Sequence, residues 1–235
     1  MIRAILFSLM LTCSIIFTFC QEDMLTPPFR ESFNLDNCTL LTTGRNTYFI
    51  LEPGFQLILQ GMDEQDTASL VITVLNETKM VGNVETRVVE EHESVNGKVI
   101  EISRNYFAFC SQTGNIFYFG EDVDIYKKGK IVSHSGAWLA GGNNKPGLIM
   151  PGDPVPGDKY YQEIAPDVAM DRAEVMSLEE TLNTPAGKFS GVLKTKETTP
   201  LEPNDKSFKY YAPGIGLIRD EDLRLVKYGF ENSVK

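Results

Sequence analysis

Acidic side chains that could take part in chemistry occur in two clusters along the chain. One follows an aromatic stretch and the other follows a segment rich in glycine and proline; together they comprise Glu121, Asp122, Glu163, Asp171 and Glu174. Converging carboxylates could bind Ca²⁺, which takes about six to eight oxygen ligands, or could supply the acid and base of glycosidic hydrolysis. No Asp-x-Asp-x-Asp-Gly calcium loop is present, so no cofactor is predicted, and calcium is the one cofactor that the acids leave open. The alternative is that these acids are solvated ends of strands.

The chain has two histidines, and neither lies in a motif for nucleophilic catalysis. His92 lies in the acidic run 90–93, which is typical of a charged surface turn. His134 stands between two serines without a Gly-x-Ser-x-Gly elbow. A metal site would need both imidazoles and carboxylates to converge, and their spacing does not indicate this. We therefore expect a non-enzymatic rather than an enzymatic function.

Aromatic residues are dense and favour an apolar site. Successive side chains of a strand face opposite sides, so the run 117–119 must place rings on both faces of its sheet. One face belongs to the core, and the other needs a cover, a partner or a ligand. Either a second sheet covers it, or it lines a cavity in a half-open barrel with residues 148–150 as a lid. The second interpretation gives the candidate ligand-binding residues Tyr118, Trp138, Leu148, Ile149, Met150, Tyr161 and Tyr211.

These residues must be positioned by β-strands, because helical periodicity is nearly absent. Runs of strand length are separated by Gly, Asn, Asp and Pro, and Asn96-Gly97 is a strong hairpin signal between two of them. We predict separate strands over 116–119 and 122–126, and a loop over 141–157, where glycine and proline are frequent. About a dozen short, sequentially adjacent strands imply an all-β fold with an antiparallel barrel-like or two-sheet architecture.

The N-terminus has the composition of a secretory signal peptide. A basic residue precedes a short apolar core, and Cys20 ends this core directly before a polar stretch. We therefore divide the chain into a signal peptide over 1–20, an N-terminal extension over 21–46, a single β-rich domain over 47–230 and a C-terminal tail over 231–235. The mature chain is then secreted or extracellular. A periplasmic location, or a lipid anchor on Cys20, is the alternative.

Two cysteines follow the signal peptide, Cys38 and Cys110. In an oxidising compartment they most simply form one disulfide. Two Asn-x-Thr sequons begin at Asn37 and Asn76, and both are glycosylation sites if the source is eukaryotic. The disulfide fits a protein of the extracellular space, whereas two sequons are no more than chance would give in this composition and do not bear on the location.

The formal net charge is −10, and no stripe of lysine or arginine offsets it. Such a surface repels phosphate groups, so nucleic acids and anionic membranes are excluded as partners. Beyond the signal peptide, no stretch reaches the roughly twenty apolar residues that a membrane-spanning helix needs. The sequence does not indicate an oligomeric state or a partner protein.

Several short phrases occur in a characteristic order. Tyr-Phe-Gly-Glu ends at Glu121, Pro-Gly-Leu-Ile-Met-Pro ends at Pro151, Asp-Lys-Tyr-Tyr-Gln-Glu ends at Glu163, and Lys-Tyr-Tyr-Ala-Pro-Gly-Ile-Gly-Leu begins at Lys209. Over residues 47–227 this set resembles a group of secreted, mostly bacterial β-rich proteins of unassigned function. It is more loosely similar to periplasmic half-barrel proteins related to lipoprotein carriers. The resemblance implies secretion and a barrel-like fold, and it implies no catalytic residue or substrate.

The sequence leaves three functions open. The leading hypothesis is the binding of a small apolar molecule or a surface component by the aromatic strands and the loop over 141–157. The second is an extracellular hydrolase that uses the acids around Glu121 and Asp171, with or without calcium. The third is a structural or adhesive surface protein. A cavity of several hundred cubic ångströms would favour the first hypothesis, and convergent carboxylates in an open cleft would favour the second.

Overall fold

The computed structural model describes residues 28–63 and 65–230, where strands predominate and one 3₁₀ turn, η1, covers Leu35–Asn37. The signal peptide predicted over 1–20, with Cys20, and the tail predicted over 231–235 lie outside the described residues. In chain order the strands are β1 (Leu40–Leu41), β2 (Gly44–Arg45), β3 (Ile50–Leu51), β4 (Phe55–Asp63), β5 (Asp66–Val81), β6 (Val84–Val95), β7 (Lys98–Cys110), β8 (Ile116–Lys127), β9 (Lys130–Ser133), β10 (Trp138–Leu139), β11 (Gly147–Met150), β12 (Lys159–Tyr161), β13 (Arg172–Thr184), β14 (Gly187–Thr198), β15 (Ser207–Ala212), β16 (Gly216–Asp220) and β17 (Leu223–Phe230).

Tight turns with a left-handed backbone join the long strands. β6 and β7 meet at Asn96 and Gly97, whose φ angles are +49° and +71°. Lys128 and Gly129, at +54° and +72°, connect β8 to β9 in the same way. Two successive residues with positive φ give a turn whose twist matches that of the flanking strands. The hairpin predicted from the Asn-Gly pair is therefore confirmed.

Fifteen strands form one sheet, whose main path runs β10-β8-β7-β6-β5-β4-β17-β16-β15-β14-β13-β12. β1 pairs with β7, β9 and β11 pair with β8, and β2 and β3 form a separate two-stranded sheet. Every pair of named strands is antiparallel. The predicted all-β, antiparallel, barrel-like class is confirmed, although individual strands are longer than predicted and β5 spans 16 residues.

The segment rich in glycine and proline connects the two ends of the sheet. β11 pairs with β8 at one end, and β12 pairs with β13 at the other. Between these ends the N–H of Lys145 donates to the carbonyl of Ile164 at 2.8 Å. A Cβ on Gly147 would lie 1.9 Å from the carbonyl oxygen of Gln162, so this close approach requires glycine. The loop predicted over 141–157 thus contains a strand of the main sheet.

β8 is one continuous strand. The prediction of separate strands over 116–119 and 122–126 was therefore wrong. Its register against β7 shifts between Asn105 and Phe107, and Gly120 adopts a φ of +135°. An extra residue at such a bulge reverses the alternation of side chains between the two faces. The two halves of β8 therefore direct side chains of opposite parity toward the same side.

The aromatic run of β8 is covered on both faces, as its composition requires. The ring of Phe117 lies 5.8 Å from that of Phe33, which precedes η1. The ring of Tyr118 lies 4.7 Å from Phe107 and 5.4 Å from Trp138. The N-terminal segment therefore covers one face of this strand, and the interior of the sheet covers the other.

Two tethers hold that N-terminal segment on β6 and β7. Cys38 and Cys110 form a disulfide, which confirms the predicted pairing. Arg87, only 6% exposed, donates to the carbonyl oxygens of Thr42 at 2.9 Å and Glu77 at 3.2 Å. A guanidinium has several donors in a fixed plane, so one buried side chain can join three stretches of backbone.

Two further expectations concern the surface of the molecule. Asn37 and Asn76 are both exposed, so each sequon is sterically accessible to modification. Within the described ranges, no helix has the length and apolar character needed to cross a membrane.

Candidate functional site

The sheet surrounds a half-open cavity of about 290 Å³. Strands β4 and β5, at the middle of the sheet order, supply an apolar wall that comprises Phe55, Leu57, Leu70, Ile72 and Val74. The strands on either side of this wall, with the connection between β12 and β13, carry eight carboxyl side chains: Glu91, Glu93, Glu101, Glu121, Glu163, Asp171, Glu197 and Asp220. Lys209 is the one basic side chain among the described residues that line the cavity. The cavity therefore combines an apolar wall with a large excess of acidic groups.

β6 and β7 direct their polar faces inward. Glu91 lies opposite Ser103, and Glu93 lies opposite Glu101, across this strand pair, and all four line the cavity. Like charges directly opposite each other destabilise a sheet, so this pairing is unfavourable for folding alone. Burial, followed by the charge of Glu101, raises the pKa of Glu93. Burial likewise raises the pKa of Glu101.

Glu91 is the carboxyl group that interacts both with its neighbours on β6 and β7 and with the strands on the opposite side of the cavity. Burial raises its pKa to about 7, against the partial opposition of the Lys209 charge and with further upward contributions from Glu93 and Asp220. Lys209 and Asp220 belong to β15 and β16, so these strands face β6 across the cavity. The side chain of Glu91 makes no hydrogen bond or ion pair with a described residue.

Lys209 neutralises two of the eight acids. Its Nζ lies 3.0 Å from Glu197 Oε2 and 3.7 Å from Asp220 Oδ2, and Gln162 Nε2 donates to the other oxygen of Glu197 at 3.0 Å. Burial alone would lower the pKa of Lys209, but the charges of Asp220 and Glu197 raise it well above its ordinary value. Lys209 is therefore a fixed cation, and six carboxyl groups of the lining have no ion-pair partner among the described residues.

A hydrogen-bonded corner forms around Tyr118. Its hydroxyl donates to Asn105 Oδ1 and also contacts the carboxyl group of Glu121. A hydroxyl has one hydrogen, and that of Tyr118 is donated to Asn105. The Tyr118 oxygen can therefore accept a hydrogen bond from Glu121 when Glu121 is protonated. Burial, followed by the charge of Glu163, raises the pKa of Glu121. Both Tyr118 and Glu121 line the cavity because the bulge at Gly120 reverses the alternation of faces between them.

Glu163 lies beside this corner and is only 9% exposed. Its Oε1 accepts a hydrogen bond of 3.4 Å from Trp138 Nε1, and its other oxygen has no hydrogen-bond partner among the described residues. Burial, followed by the charge of Asp171, raises the pKa of Glu163. Glu121, Glu163 and Asp171 therefore form a group of mutually repelling acids that favours proton uptake.

The structure brings some of the sequence-predicted site residues together. Of the candidate ligand-binding residues, Tyr118, Ile149 and Tyr211 line the cavity. Of the candidate acids, Glu121, Glu163 and Asp171 do so as well.

Four candidate ligand-binding residues lie elsewhere. Leu148 and Met150 are at most 1% exposed and pair with β8 as part of β11, which makes them core residues rather than a movable lid. Trp138 is buried against Tyr118, lies opposite Glu121 where β10 pairs with β8, and donates a hydrogen bond to Glu163, but does not itself line the cavity. Tyr161 is buried, with its ring 6.0 Å from that of Phe29.

Two candidate acids are engaged by lysines outside the cavity. Asp122 accepts from Lys79 Nζ at 2.9 Å and from the hydroxyl of Tyr106 at 2.5 Å. Glu174 lies 2.5 Å from Lys196 Nζ and 3.5 Å from Lys159 Nζ. Although burial opposes it, these cationic and hydroxyl partners lower the pKa of each carboxyl group. Both residues therefore have structural ion-pair roles.

The sequence analysis did not predict the charged cavity lining on β6, β15 and β16. It also did not predict that His92 and its neighbours belong to a strand. The run 90–93, expected as a charged turn, lies within β6. The signal that could have found the lining is alternation: Glu91 and Glu93 share one face, while Glu90 on the other face pairs with Arg104 at 3.1 Å.

Within residues 28–63 and 65–230, no three His, Cys, Asp or Glu side chains converge as a metal site requires. His134 Nδ1 lies 3.0 Å from Asp124 Oδ1 on an exposed edge. The calcium site considered from the sequence therefore stays a prediction, without a defined set of ligands.

Comparison with known proteins adds no further constraint. The chain matches no family model, and neither a curated protein nor a solved structure is significantly similar to it. The resemblance to secreted bacterial β-rich proteins stays an expectation, and any function must be argued from the cavity itself.

Proposed function

We propose that this chain is a secreted, non-enzymatic binding protein that holds a small molecule with an apolar body in its cavity. The observation that carries the proposal is the apolar wall of β4 and β5, which borders a cavity of about 290 Å³. Ligand sites in proteins are commonly about 300–1,000 Å³ and mostly apolar, with a few polar groups that fix orientation. A volume at the lower end of this range favours a ligand of modest size.

The free energy of burying apolar groups against this wall favours a ligand-binding function over a purely structural one. Moving a methylene group from water into an apolar environment is favourable by about 0.8 kcal/mol. A ligand chain of several carbons against Leu57, Leu70 and Ile72 therefore gains a few kcal/mol before any polar contact is made. The excess of uncompensated acids makes the same cavity a poor choice for a purely structural core, because buried charges are costly without partners.

Displacement of the neutral fluorophore N-phenyl-1-naphthylamine tests this proposal. We expect its fluorescence to rise on addition of the chain from residue 21 onward, and Ile72→Trp to abolish the rise by filling the cavity. Val71→Trp is the matched control, since Val71 is adjacent on β5 and does not line the cavity. Absence of probe binding by the unsubstituted chain, or equal binding by both variants, would overturn the proposal.

A second candidate function is acid–base hydrolysis by Glu121 and Glu163. The observation that favours it is that burial and repulsion by neighbouring acids raise the pKa values of both Glu121 and Glu163, so that a carboxyl group of this pair can hold a proton for use as a general acid. Release of nitrophenol from a panel of nitrophenyl glycosides would support this function if Glu121→Gln removed it and Glu90→Gln did not. No release by the unsubstituted chain at any pH between 4 and 9 would count against it.

A further inference from the structure

We infer that the ligand of this cavity is a cationic amphiphile, an organic ammonium group joined to a small apolar body. This inference rests on the proposed binding function and specifies the ligand class. The apolar part of the ligand would lie against the wall of β4 and β5. The charged nitrogen would lie among the carboxyl groups that include Glu91 and Glu163.

The charge balance of the lining is the first argument. Eight carboxyl groups and one lysine line the cavity, and Lys209 is already engaged by Glu197 and Asp220. The ionised fraction of the remaining acids gives the cavity a negative potential, which concentrates cations and repels anions. Because burial raises the pKa values of Glu121 and Glu163, a bound cation would also draw these groups toward their ionised forms. An anionic amphiphile such as a fatty acid would have to compete with Glu197 for Lys209 and approach the other acids unpaired.

Unpartnered polar atoms are the second and independent argument. Tyr211 is 7% exposed and lines the cavity, yet its hydroxyl makes no hydrogen bond with a described residue. Glu163 is 9% exposed, and one of its carboxyl oxygens likewise makes no hydrogen bond with a described residue. In the described part of the chain, the side-chain polar atoms that are sealed off without a partner are the Tyr160 hydroxyl and Thr195 Oγ1, so the Tyr211 and Glu163 oxygens are instead open to the cavity and keep free hydrogen-bonding capacity there. A ligand that donates several hydrogen bonds would satisfy both groups.

An ammonium group has the required chemistry. It has three N–H donors and no acceptor, which complements a lining dominated by carboxylate acceptors and a tyrosine oxygen. Charge-assisted bonds of this kind are about twice as strong as neutral ones. A bare metal ion is a weaker fit, because no three acids among the described residues converge on one point.

Proton release on binding follows from the same arrangement. The charged groups that act on Glu91 are Glu93 of the same strand, Glu101 of β7, and Lys209 and Asp220 of β15 and β16 on the opposite side; Glu121 of β8 interacts with it as well. Burial raises the pKa of Glu91 to about 7, so this group is largely protonated at pH 6 and largely ionised at pH 8. A cation must displace this proton at pH 6 and not at pH 8. Its affinity should therefore rise across this range, whereas that of a neutral ligand should not.

Three eight-carbon compounds test the inference: octylammonium, octan-1-ol and octanoate, each used to displace N-phenyl-1-naphthylamine at pH 8. We expect octylammonium to bind at least tenfold more tightly than octanol, and octanoate to bind most weakly. Glu91→Gln should lower the octylammonium affinity by about tenfold and leave the octanol affinity unchanged. Glu90→Gln, on the outer face of the same strand, is the matched control and should change neither.

The outcomes separate the two proposals. If octanol displaces the probe as well as octylammonium does, the ligand class is wrong and the binding function stands. If the probe itself does not bind, both proposals fail. Glu163→Gln serves as a second variant should Glu91→Gln not fold, with circular dichroism as the check of folding. Equal octylammonium affinity at pH 6 and pH 8 would also overturn the inference.

Discussion

Replacement of Glu91 by glutamine should remove most of the pH dependence that this residue gives to stability. A pKa of about 7 in the folded chain, against an ordinary value of 4.5, means that the folded state holds a proton that the unfolded state has already lost. The free energy of unfolding therefore falls as pH rises from about 4.5 to about 7. At about 1.4 kcal/mol for each pKa unit, the full difference is about 3 kcal/mol.

Glutamine has nearly the shape of a protonated glutamate and cannot ionise. At pH 5 Glu91→Gln should thus melt close to the unsubstituted chain, while at pH 8 it should be more stable by up to about 3 kcal/mol. For a chain of this size about 2–4 °C corresponds to each kcal/mol, so the melting temperature should differ by about 6–12 °C at pH 8. The charges that determine this value are those of Glu93, Glu101, Lys209 and Asp220.

Thermal unfolding followed by circular dichroism at pH 5 and pH 8, at constant ionic strength, measures this difference. Other acids titrate in the same range, so the quantity to compare is the variant minus the unsubstituted chain at each pH. Glu90→Gln is the control, because Glu90 faces outward and pairs with Arg104; its difference should be the same at both values. If the difference for Glu91→Gln is equally independent of pH, the uncompensated burial of this carboxyl is refuted.

Three further predictions concern the scaffold. Reduction of the disulfide between Cys38 and Cys110, which are 72 positions apart, should cost about 4 kcal/mol by the loop-entropy relation, seen as a lower melting temperature in calorimetry with reductant. Gly147→Ala should destabilise the chain in urea unfolding more than Gly82→Ala. A Cβ at position 147 meets a backbone carbonyl oxygen at 1.9 Å, whereas at position 82 it meets nothing within 4 Å and alanine is disfavoured only by the φ of +60°, at a cost of about 1–2 kcal/mol. Arg87→Met should lower the free energy of unfolding in urea by about 2 kcal/mol, since the part-buried carbonyl oxygens of Thr42 and Glu77 lose their donor; a loss below about 1 kcal/mol would contradict this role.

The sequence predicted the all-β class and most of the strands, but not the direction of their side chains. Asn96-Gly97 predicted the hairpin correctly because its two residues readily adopt positive φ. In the second arm of that hairpin, Ile100 lies 38% exposed while Glu101 and Ser103 line the cavity. Alternation shows that two faces differ, but it assigns the polar face to solvent by default. Only the curvature of the sheet shows that this face encloses a cavity.

Local motifs had the same limit at the candidate site. Leu148 and Met150 were equally consistent with a lid and with the core, and their pairing with β8 decides for the core. Tyr118 and Glu121 are three residues apart, a spacing that places side chains on opposite faces of a regular strand. The bulge at Gly120 places both in the cavity. Such register shifts depend on the partner strand and leave little trace in one sequence.

During synthesis, one edge of β4 stays unpaired until β17, near the end of the described chain, has been made. Strands β5 to β8 are joined by short turns and can pair as soon as they emerge, whereas the other edge of the nine-residue β4 pairs with β17, with Phe55 opposite Phe230. An unpaired strand edge is a template for other chains, and distant pairings form late. The nascent half-sheet therefore presents this edge throughout the synthesis of the second half. The chain is most exposed to self-association on the ribosome, before β17 closes the seam.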